Sequence, residues 1–208
     1  MKIQTITANV YGESSVFEVV QYDHTDIPNV ENSFHAWTDL RNFSNILVGR
    51  SPNLPEFISE TCLCLVTNSV RFYKSKKLKS SSFDCFDIVN EKTIQSKASS
   101  VKDDLTSFGP KSKWDIFYFL DFYNGGDLDG TFNLYEIPNQ LIYECNVKNG
   151  RTLQESQELG YRPRIHLKSQ VIVPNGIVPF EIDENSDIME EVIRPSGLSP
   201  SEKGIKLW

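Results

Sequence analysis

The segment Ser82-Phe83-Asp84-Cys85-Phe86-Asp87-Ile88-Val89 is followed, after a short polar turn, by Thr93-Ile94-Gln95-Ser96-Lys97-Ala98. Two short runs rich in aromatic and β-branched residues, on either side of a turn that contains Asn, predict a β-hairpin. Because side chains alternate along a strand, Gln95 and Lys97 should share one face of the second strand. We expect the other face to pack in the core and this one to carry chemistry.

The hairpin brings together an acid, an amide oxygen and a lysine, which can form a phosphodiester-cleaving site. Asp84 can hold a hard cation such as Mg²⁺, and the side-chain carbonyl of Gln95 and the backbone carbonyl that follows it can add neutral ligands. Lys97 would orient and help deprotonate the attacking water, or offset charge that develops on the phosphate. An acid before Gln-x-Lys also occurs by chance, so a surface hairpin without catalytic function is the alternative.

Asp84 together with Gln95-Ser96-Lys97 resembles the PD-(D/E)XK nuclease signature, in the variant where Gln replaces the second acid. The flanking segments 53–60 and 105–115 extend the likeness to small type II restriction endonucleases, in particular the family that cuts the interrupted palindrome GCNGC. The likeness covers roughly residues 45–170. The chain departs from the signature at two places. Ser82-Phe83 stands where the Pro of the signature would precede the acid. Gln95 replaces the second acid, which makes the metal site less anionic.

The resemblance implies an α/β fold with a restriction-endonuclease-like mixed central sheet and flanking helices. We expect a single nuclease domain over residues 1–208, with its catalytic part at about residues 50–170. The implied activity is Mg²⁺-dependent, sequence-specific hydrolysis of double-stranded DNA. Palindromic recognition implies a homodimer, and a cognate methyltransferase would act on the same DNA sequence without necessarily contacting this protein.

The site residues that the resemblance implies are Asp84 and Gln95 as metal ligands and Lys97 as the group that activates water or stabilises charge. A further acid would come from a helix that begins near Pro55. Glu60 is the better placed acid of this helix by resemblance, although Glu56 lies four residues earlier on the same face. A solvated helix face is the alternative for both.

Composition bounds the class of protein. A chain of 208 residues can bury a substantial core as one domain. It has no run of about eighteen apolar residues and no apolar signal segment at Met1, so we expect a cytoplasmic protein without a membrane segment. The four cysteines lack zinc-site spacing, and we expect them to be buried free thiols rather than metal ligands or disulfides.

The net charge of −7 is unevenly distributed. Residues 1–70 hold 3 bases and 8 acids, residues 71–180 hold 15 and 13, and residues 181–208 hold 3 and 7, which gives −5, +2 and −4. Positive charge is therefore concentrated around the hairpin. An acidic outer surface is compatible with DNA binding if the cleft that faces the phosphates is locally basic.

Two basic segments are candidate DNA contacts. The run 71–79 has five bases in nine residues immediately before the hairpin, and we expect it to contact phosphate without reading sequence. In the segment 161–169 every second residue is basic or, in the case of His166, can become so, which predicts one face of a strand that contacts guanine or phosphate. A solvated surface is the alternative for each. The candidate DNA-binding residues are Lys76, Lys77, Lys111, Lys113, Arg162, Arg164, His166 and Lys168.

The remaining segments are assigned more coarsely. Apolar residues spaced three and four positions apart predict an amphipathic helix from about Ile27 to Gly49. Its apolar stripe would pack in the core or form a dimer contact. The first thirty residues contain either a strand near Val16 to Val20 or part of a helical arm. Residues 114–123 read as a central strand covered on both faces. Residues after 170 read as surface-covering loops, with a short helix near 186–192.

Three rivals to the restriction endonuclease remain open from the sequence. A structure-specific repair or recombination nuclease could use the same site on branched or mismatched DNA. A non-catalytic DNA-binding protein could have lost the metal site through Gln95. A structural or protein-interaction role would require neither DNA binding nor cleavage.

Overall fold

The computed structural model describes residues 1–49, 51–76, 78, 83–180 and 204–208. The strands are β1 (Lys2–Val10), β2 (Glu13–Gln21), β3 (Val70–Ser75), β4 (Cys85–Asp87), β5 (Lys92–Ser99), β6 (Leu105–Ser107), β7 (Ile116–Asp121), β8 (Asn133–Glu136) and β9 (Arg164–His166). The helices are α1 (Ile27–Val48), α2 (Glu56–Thr67), α3 (Asn139–Tyr143) and α4 (Leu153–Glu158). In the described residues a seven-stranded sheet has the order β1-β2-β3-β4-β5-β7-β8, and β6 pairs with β9 separately. The predicted α/β class with a mixed central sheet and flanking helices is confirmed.

The predicted hairpin is confirmed and lies at the centre of the large sheet. β4 and β5 pair antiparallel from Cys85↔Ile94 to Asp87↔Lys92, and Glu91 turns the chain with a φ of 50°. β5 then continues beyond β4 and pairs in parallel with β7 as far as Ser99. Within the described part of the chain, the second half of β5 therefore has an open side next to Asp84.

The N-terminal residues form a β-hairpin rather than a helical arm. β1 and β2 pair along all nine residues, with Tyr11 and Gly12 at positive φ in the turn. β3 then adds to β2 and to β4, so the basic run 71–79 begins as a strand. The apolar faces of these strands form a core cluster around Phe17 and Phe86.

β7 is covered on both faces, as its apolar sequence predicts. Phe117 and Phe119 pack in one core cluster, with residues of β9 and the segment that follows it. Tyr118 and Leu120 point to the opposite face and pack in a second cluster, with α1 and α2. Because successive side chains of β7 point to opposite faces of the sheet, this strand contributes to both core clusters.

α1 is packed only along its N-terminal half. The helix ends at Gly49, which has a φ of 63° and donates to the carbonyl of Asn45, as the sequence predicts. Phe34 and Trp37 are buried, whereas Leu40, Phe43, Ile46 and Leu47 are exposed. α2 begins after Pro55 and buries nearly all of its residues from Ile58 onward.

The prediction of one strand through residues 162–168 is wrong. β9 covers only Arg164–His166, and residues 167–172 form a π-helix. Leu167 and Val171 lie four residues apart and are both buried in the core, which a helical turn achieves and an extended strand does not. Lys168 therefore does not share a strand face with Arg164.

The prediction that the chain end forms surface loops is wrong for Gly204–Trp208. Ile205 and Phe132 exchange backbone hydrogen bonds of 2.8 and 2.9 Å, and the Trp208 ring lies 5.4 Å from that of Phe34. A Cβ at Gly204 would lie 2.7 Å from the carbonyl oxygen of Phe132, so this close approach requires glycine. The helix predicted near 186–192 lies outside the described residues.

All four cysteines are free thiols. Cys62, Cys64 and Cys85 are buried as predicted, and Cys145 is half-buried. Burial raises the pKa of the Cys62 thiol, so this group stays protonated at neutral pH. Among the described residues, no helix is long and apolar enough to cross a membrane.

Candidate active site

Asp84 is held between two strands at the open side of β5. Its backbone N–H donates to Ile94 O at 2.9 Å, and its carbonyl accepts from Phe72 N at 2.9 Å. The side-chain Oδ2 accepts from the backbone N–H of Ser96 at 2.9 Å and from the amide group of Gln95. The hairpin thus fixes both the backbone and the carboxylate of Asp84.

The environment of Asp84 is unfavourable to its charge. Burial raises the pKa of this carboxyl, and the positive charge of Lys97 and the N–H of Ser96 act in the opposite direction. A desolvated carboxylate held by only a few donors binds either a proton or another cation. This is the electrostatic character expected of a cation ligand.

Glu60 is the second carboxylate at this place. It lies on α2, is 8% exposed and forms an ion pair with Arg71 of β3. Burial raises the pKa of Glu60 to about 7, with a further contribution from the charge of Asp84, while Arg71 opposes the shift. The protonation of Glu60 therefore changes near neutral pH.

A cleft of about 300 Å³ connects these groups. Three of the four predicted catalytic residues, Glu60, Asp84 and Lys97, lie in its walls. Gln95 is 5% exposed, and its side-chain amide donates a hydrogen bond to the Asp84 carboxylate. The further wall residues are Asn53, Leu54, Glu56, Ser59, Ser96, Ala98, Ser100, Val101 and Asp104.

Ser96 is a cleft residue that the sequence did not single out. Its hydroxyl is buried and has no hydrogen-bond partner in the structure, although its N–H holds Asp84. Alternation along β5 predicted that Ser96 faces away from Lys97 into the core. At the open side of β5, however, the core face and the cleft meet under α2. An unpartnered buried hydroxyl here is a further oxygen for a ligand or a water.

The donor set fits a hard divalent cation. Carboxylate, hydroxyl and carbonyl oxygens are the ligands that Mg²⁺ prefers, and it keeps several waters in protein sites. The described residues contain no group of three or more His, Cys, Asp or Glu side chains that could hold a metal. Beside Asp84 and Glu60, the cleft walls contain the carboxylates of Glu56 and Asp104 and the neutral oxygen of Ser96.

In the predicted DNA-binding set, His166 lies beside the cleft wall, while Arg164 pairs with Ser107 further along the small sheet and Arg162 precedes that strand. His166 pairs with Leu105 across the small sheet, next to Asp104 of the cleft, and its Nδ1 lies 3.6 Å from the carboxylate of Asp103. The two arginines are exposed. Lys168 instead forms an ion pair with the buried Asp121.

The other predicted DNA contacts are placed apart from one another. Lys111 and Lys113 are exposed before β7, where Asp115 N donates to Thr93 O, at the far end of β5 from Lys97. Lys76 is exposed just after β3, at the same end of the sheet as Asp84. Lys77 lies outside the described residues.

Two bases of the run 71–79 form ion pairs with acids of other elements. Arg71 pairs with Glu60, and Lys74 lies 3.4 Å from Glu18. Sequence reasoning missed the pairing of Arg71 because the two partners belong to different elements. The alternation of Arg71 with the buried Val70 and Phe72 was the signal that this run begins as a strand.

Comparison with known proteins identifies the class. The family model described as Bsp6I restriction endonuclease matches residues 22–174. The type II restriction enzyme Bsp6I of Bacillus sp. strain RFL6 is 27% identical over 166 residues, which cover 79% of this chain and 91% of that enzyme. No solved structure gives a significant match.

The mixed sheet, the carboxylate cleft and these matches define a type II restriction endonuclease, a site-specific deoxyribonuclease. More particularly, the chain belongs to the Bsp6I restriction endonuclease family. The matched residues include both strands of the β4–β5 hairpin and α2, so every wall of the cleft lies within the family match.

Proposed function

We propose that this enzyme hydrolyses double-stranded DNA in a Mg²⁺-dependent reaction within a short specific sequence, GCNGC. The convergence of Glu60, Asp84 and Lys97 in one cleft is the observation that carries this proposal. Two carboxylates and a lysine beside a water-accessible cavity are suited to phosphodiester hydrolysis. The GCNGC site rests on the resemblance alone.

Each of the four predicted catalytic residues has a proposed role. Asp84 is the principal metal ligand, Glu60 adds a second carboxylate, and Gln95 supplies its amide oxygen as an auxiliary ligand while its nitrogen holds Asp84. Lys97 orients the attacking water and offsets negative charge on the phosphate. A bound Mg²⁺ would act as a Lewis acid toward phosphate and water.

The basic residues of the predicted set are proposed to bind DNA. Arg162 and Arg164 can each make paired hydrogen bonds to guanine, of which GCNGC offers two on each strand. His166 and Lys168 are both partly buried, and Lys168 is paired with Asp121. The proposed contacts to phosphate are made by Lys76, Lys77, Lys111 and Lys113.

We also propose that the 208 residues form one nuclease domain that acts in the cytoplasm as a homodimer. One continuous sheet includes both the N-terminal hairpin and the catalytic hairpin, and the chain end packs in its core, which supports a single domain. Two copies related by a two-fold axis would place one cleft on each strand of a palindrome. The cognate methyltransferase would act on the same DNA sequence.

Short duplexes test the proposed specificity. We expect the purified enzyme with Mg²⁺ to cut a duplex with one GCNGC site at a fixed position, and to leave intact a duplex with that site scrambled. EDTA should abolish cleavage. Cleavage of both duplexes, or of a branched duplex alone, would contradict a site-specific enzyme and favour a structure-specific nuclease.

A further inference from the structure

The C-terminal half of α1 is an apolar surface without a partner among the described residues. Leu40, Phe43, Ile46 and Leu47 are 55, 60, 82 and 64% exposed, although the same helix buries Phe34 completely. A helical segment of about twelve residues is only marginally stable in water unless it packs against another part of a protein. We call residues 36–47 the α1 arm.

The spacing of the arm's apolar residues is that of a helix–helix seam. Ala36, Leu40, Phe43 and Leu47 follow one another at intervals of four, three and four residues. This alternation is the heptad pattern of two helices that pack side by side. At 1.5 Å per residue the seam is about 17 Å long, and Ile46 widens it at its outer end.

The charge of the arm favours a second copy of the chain over DNA. No charged residue occurs from Asn42 to Leu47, so phosphates would find no cation there. The one cation of the arm, Arg41, lies over the Trp37 ring at 5.6 Å and donates to Ser100 O at 3.3 Å. Two copies that each carry a net charge of −7 can approach along residues 42–47, which carry no charge, while the charged residues of the arm, Asp39 and Arg41, lie nearer its base.

The base of the arm is attached to the wall of the catalytic cleft. Ser100, which accepts from Arg41, lines the cleft. Trp37 Nε1 donates to Pro52 O at 3.3 Å, immediately before the cleft residue Asn53. An axis through two paired arms would therefore place the two clefts on either side of it, as cleavage of both strands requires.

We infer that the α1 arm is the two-fold interface of the enzyme, where it packs against the same arm of a second copy. The inference rests on the homodimer of the proposed function and adds the surface that forms it. Packing of the arms buries the four large apolar side chains from each copy. It also fixes the distance between the two clefts.

Sedimentation equilibrium of the full chain tests the inference, with Phe43→Glu as the disrupting variant. Leu159→Glu is the matched control, because Leu159 is 59% exposed at the end of α4, away from the arm. We expect a dimer for the wild type and for Leu159→Glu, and a monomer for Phe43→Glu. Circular dichroism checks that each variant is folded.

Phe43→Ala provides a milder test, since alanine preserves the helix. We expect the dimer dissociation constant to rise at least tenfold, while Leu159→Ala leaves it unchanged. A monomeric wild type with and without DNA, or a Phe43→Glu variant and a Phe43→Ala variant that both dimerise like the wild type, would overturn the inference.

Lys97→Ala separates this inference from the proposed activity. We expect this variant to dimerise like the wild type although it cannot cleave. An arm-dependent dimer that cuts no DNA under any condition would contradict the proposed function and leave the interface standing. If the wild type cleaves DNA but its association does not depend on Phe43, the proposed function stands and the interface is contradicted.

Discussion

Lys168 Nζ donates to the carboxylate of Asp121, a residue that is only 1% exposed at the end of β7. Asp121 lies beside Ser99 at the end of β5 that faces the cleft. Lys168, which the sequence assigned to DNA, thus compensates a buried charge. The ion pair also joins the segment after β9 to the central sheet.

Lys168→Ala should therefore lower the free energy of unfolding. Removal of one partner leaves the Asp121 carboxylate buried without its cation, and we expect a loss of about 1–3 kcal/mol, since Lys168 is itself partly exposed. Urea denaturation measures this change. Arg164→Ala, at an exposed position, should change stability by less than about 0.5 kcal/mol. Unchanged stability of Lys168→Ala would show that the pair is not structural.

The raised pKa of Glu60 predicts that Mg²⁺ affinity depends on pH. The carboxyl must lose its proton to bind a cation, and its pKa is about 7 in the metal-free protein. Affinity should thus fall as pH decreases, by about tenfold between pH 8 and pH 6 for one proton. Calorimetric titration with Mg²⁺ measures this, and Glu60→Gln should bind more weakly with a flatter pH dependence. Equal affinity at the two pH values would contradict a role for Glu60 at the metal.

Arg164 should contribute to base recognition through geometry as well as charge. Arg164→Lys keeps the charge but loses the paired hydrogen bonds to guanine. We expect discrimination between GCNGC and a scrambled duplex to fall by about 1–3 kcal/mol, with non-specific binding largely retained. Competition binding in the presence of Ca²⁺ measures both affinities. A loss of both to the same extent would indicate a phosphate contact instead.

Leu207 should stabilise the fold although it lies one residue from the end of the chain. Its side chain is 1% exposed in the cluster that includes Phe34 and Phe132. Leu207→Ala should cost about 2–4 kcal/mol of unfolding free energy, because it leaves a cavity. Leu159→Ala, on the surface, serves as the control in the same thermal or urea experiment. Equal stability of the two variants would show that the chain end is dispensable.

The parts of the fold that were predictable from sequence have local signals. The hairpin follows from alternation and its polar turn, α1 from its apolar period and Gly49, and β7 from its continuous apolar run. β1 was not predicted because its few apolar residues do not all lie on one face, as the exposed Ile3 shows, and β3 was not predicted because its basic residues indicated a DNA contact rather than a strand. The chain end was assigned to the surface because Ile205 and Leu207 form too short a run to indicate burial.

The residues of the candidate site were predictable where a local sequence pattern positions them, whereas the contacts between distant elements were not. Asp84 and Lys97 lie in the cleft because the hairpin alone determines their separation. The pairing of Glu60 with Arg71, the unpartnered hydroxyl of Ser96 and the pairing of Lys168 with Asp121 all depend on contacts between elements distant in sequence. Such contacts leave no periodic signal, so they emerge only from the assembled fold.

Digestion of an unmethylated plasmid with Mg²⁺, beside the Lys97→Ala variant, tests the central claim most directly. The wild type should give discrete fragments whose mapped ends share one sequence. The variant should bind the same DNA but yield no fragments, because the cleft then lacks the positive charge of the Lys97 ammonium group. An intact plasmid with folded wild-type protein, or fragments that persist in Lys97→Ala, would contradict catalysis at this site.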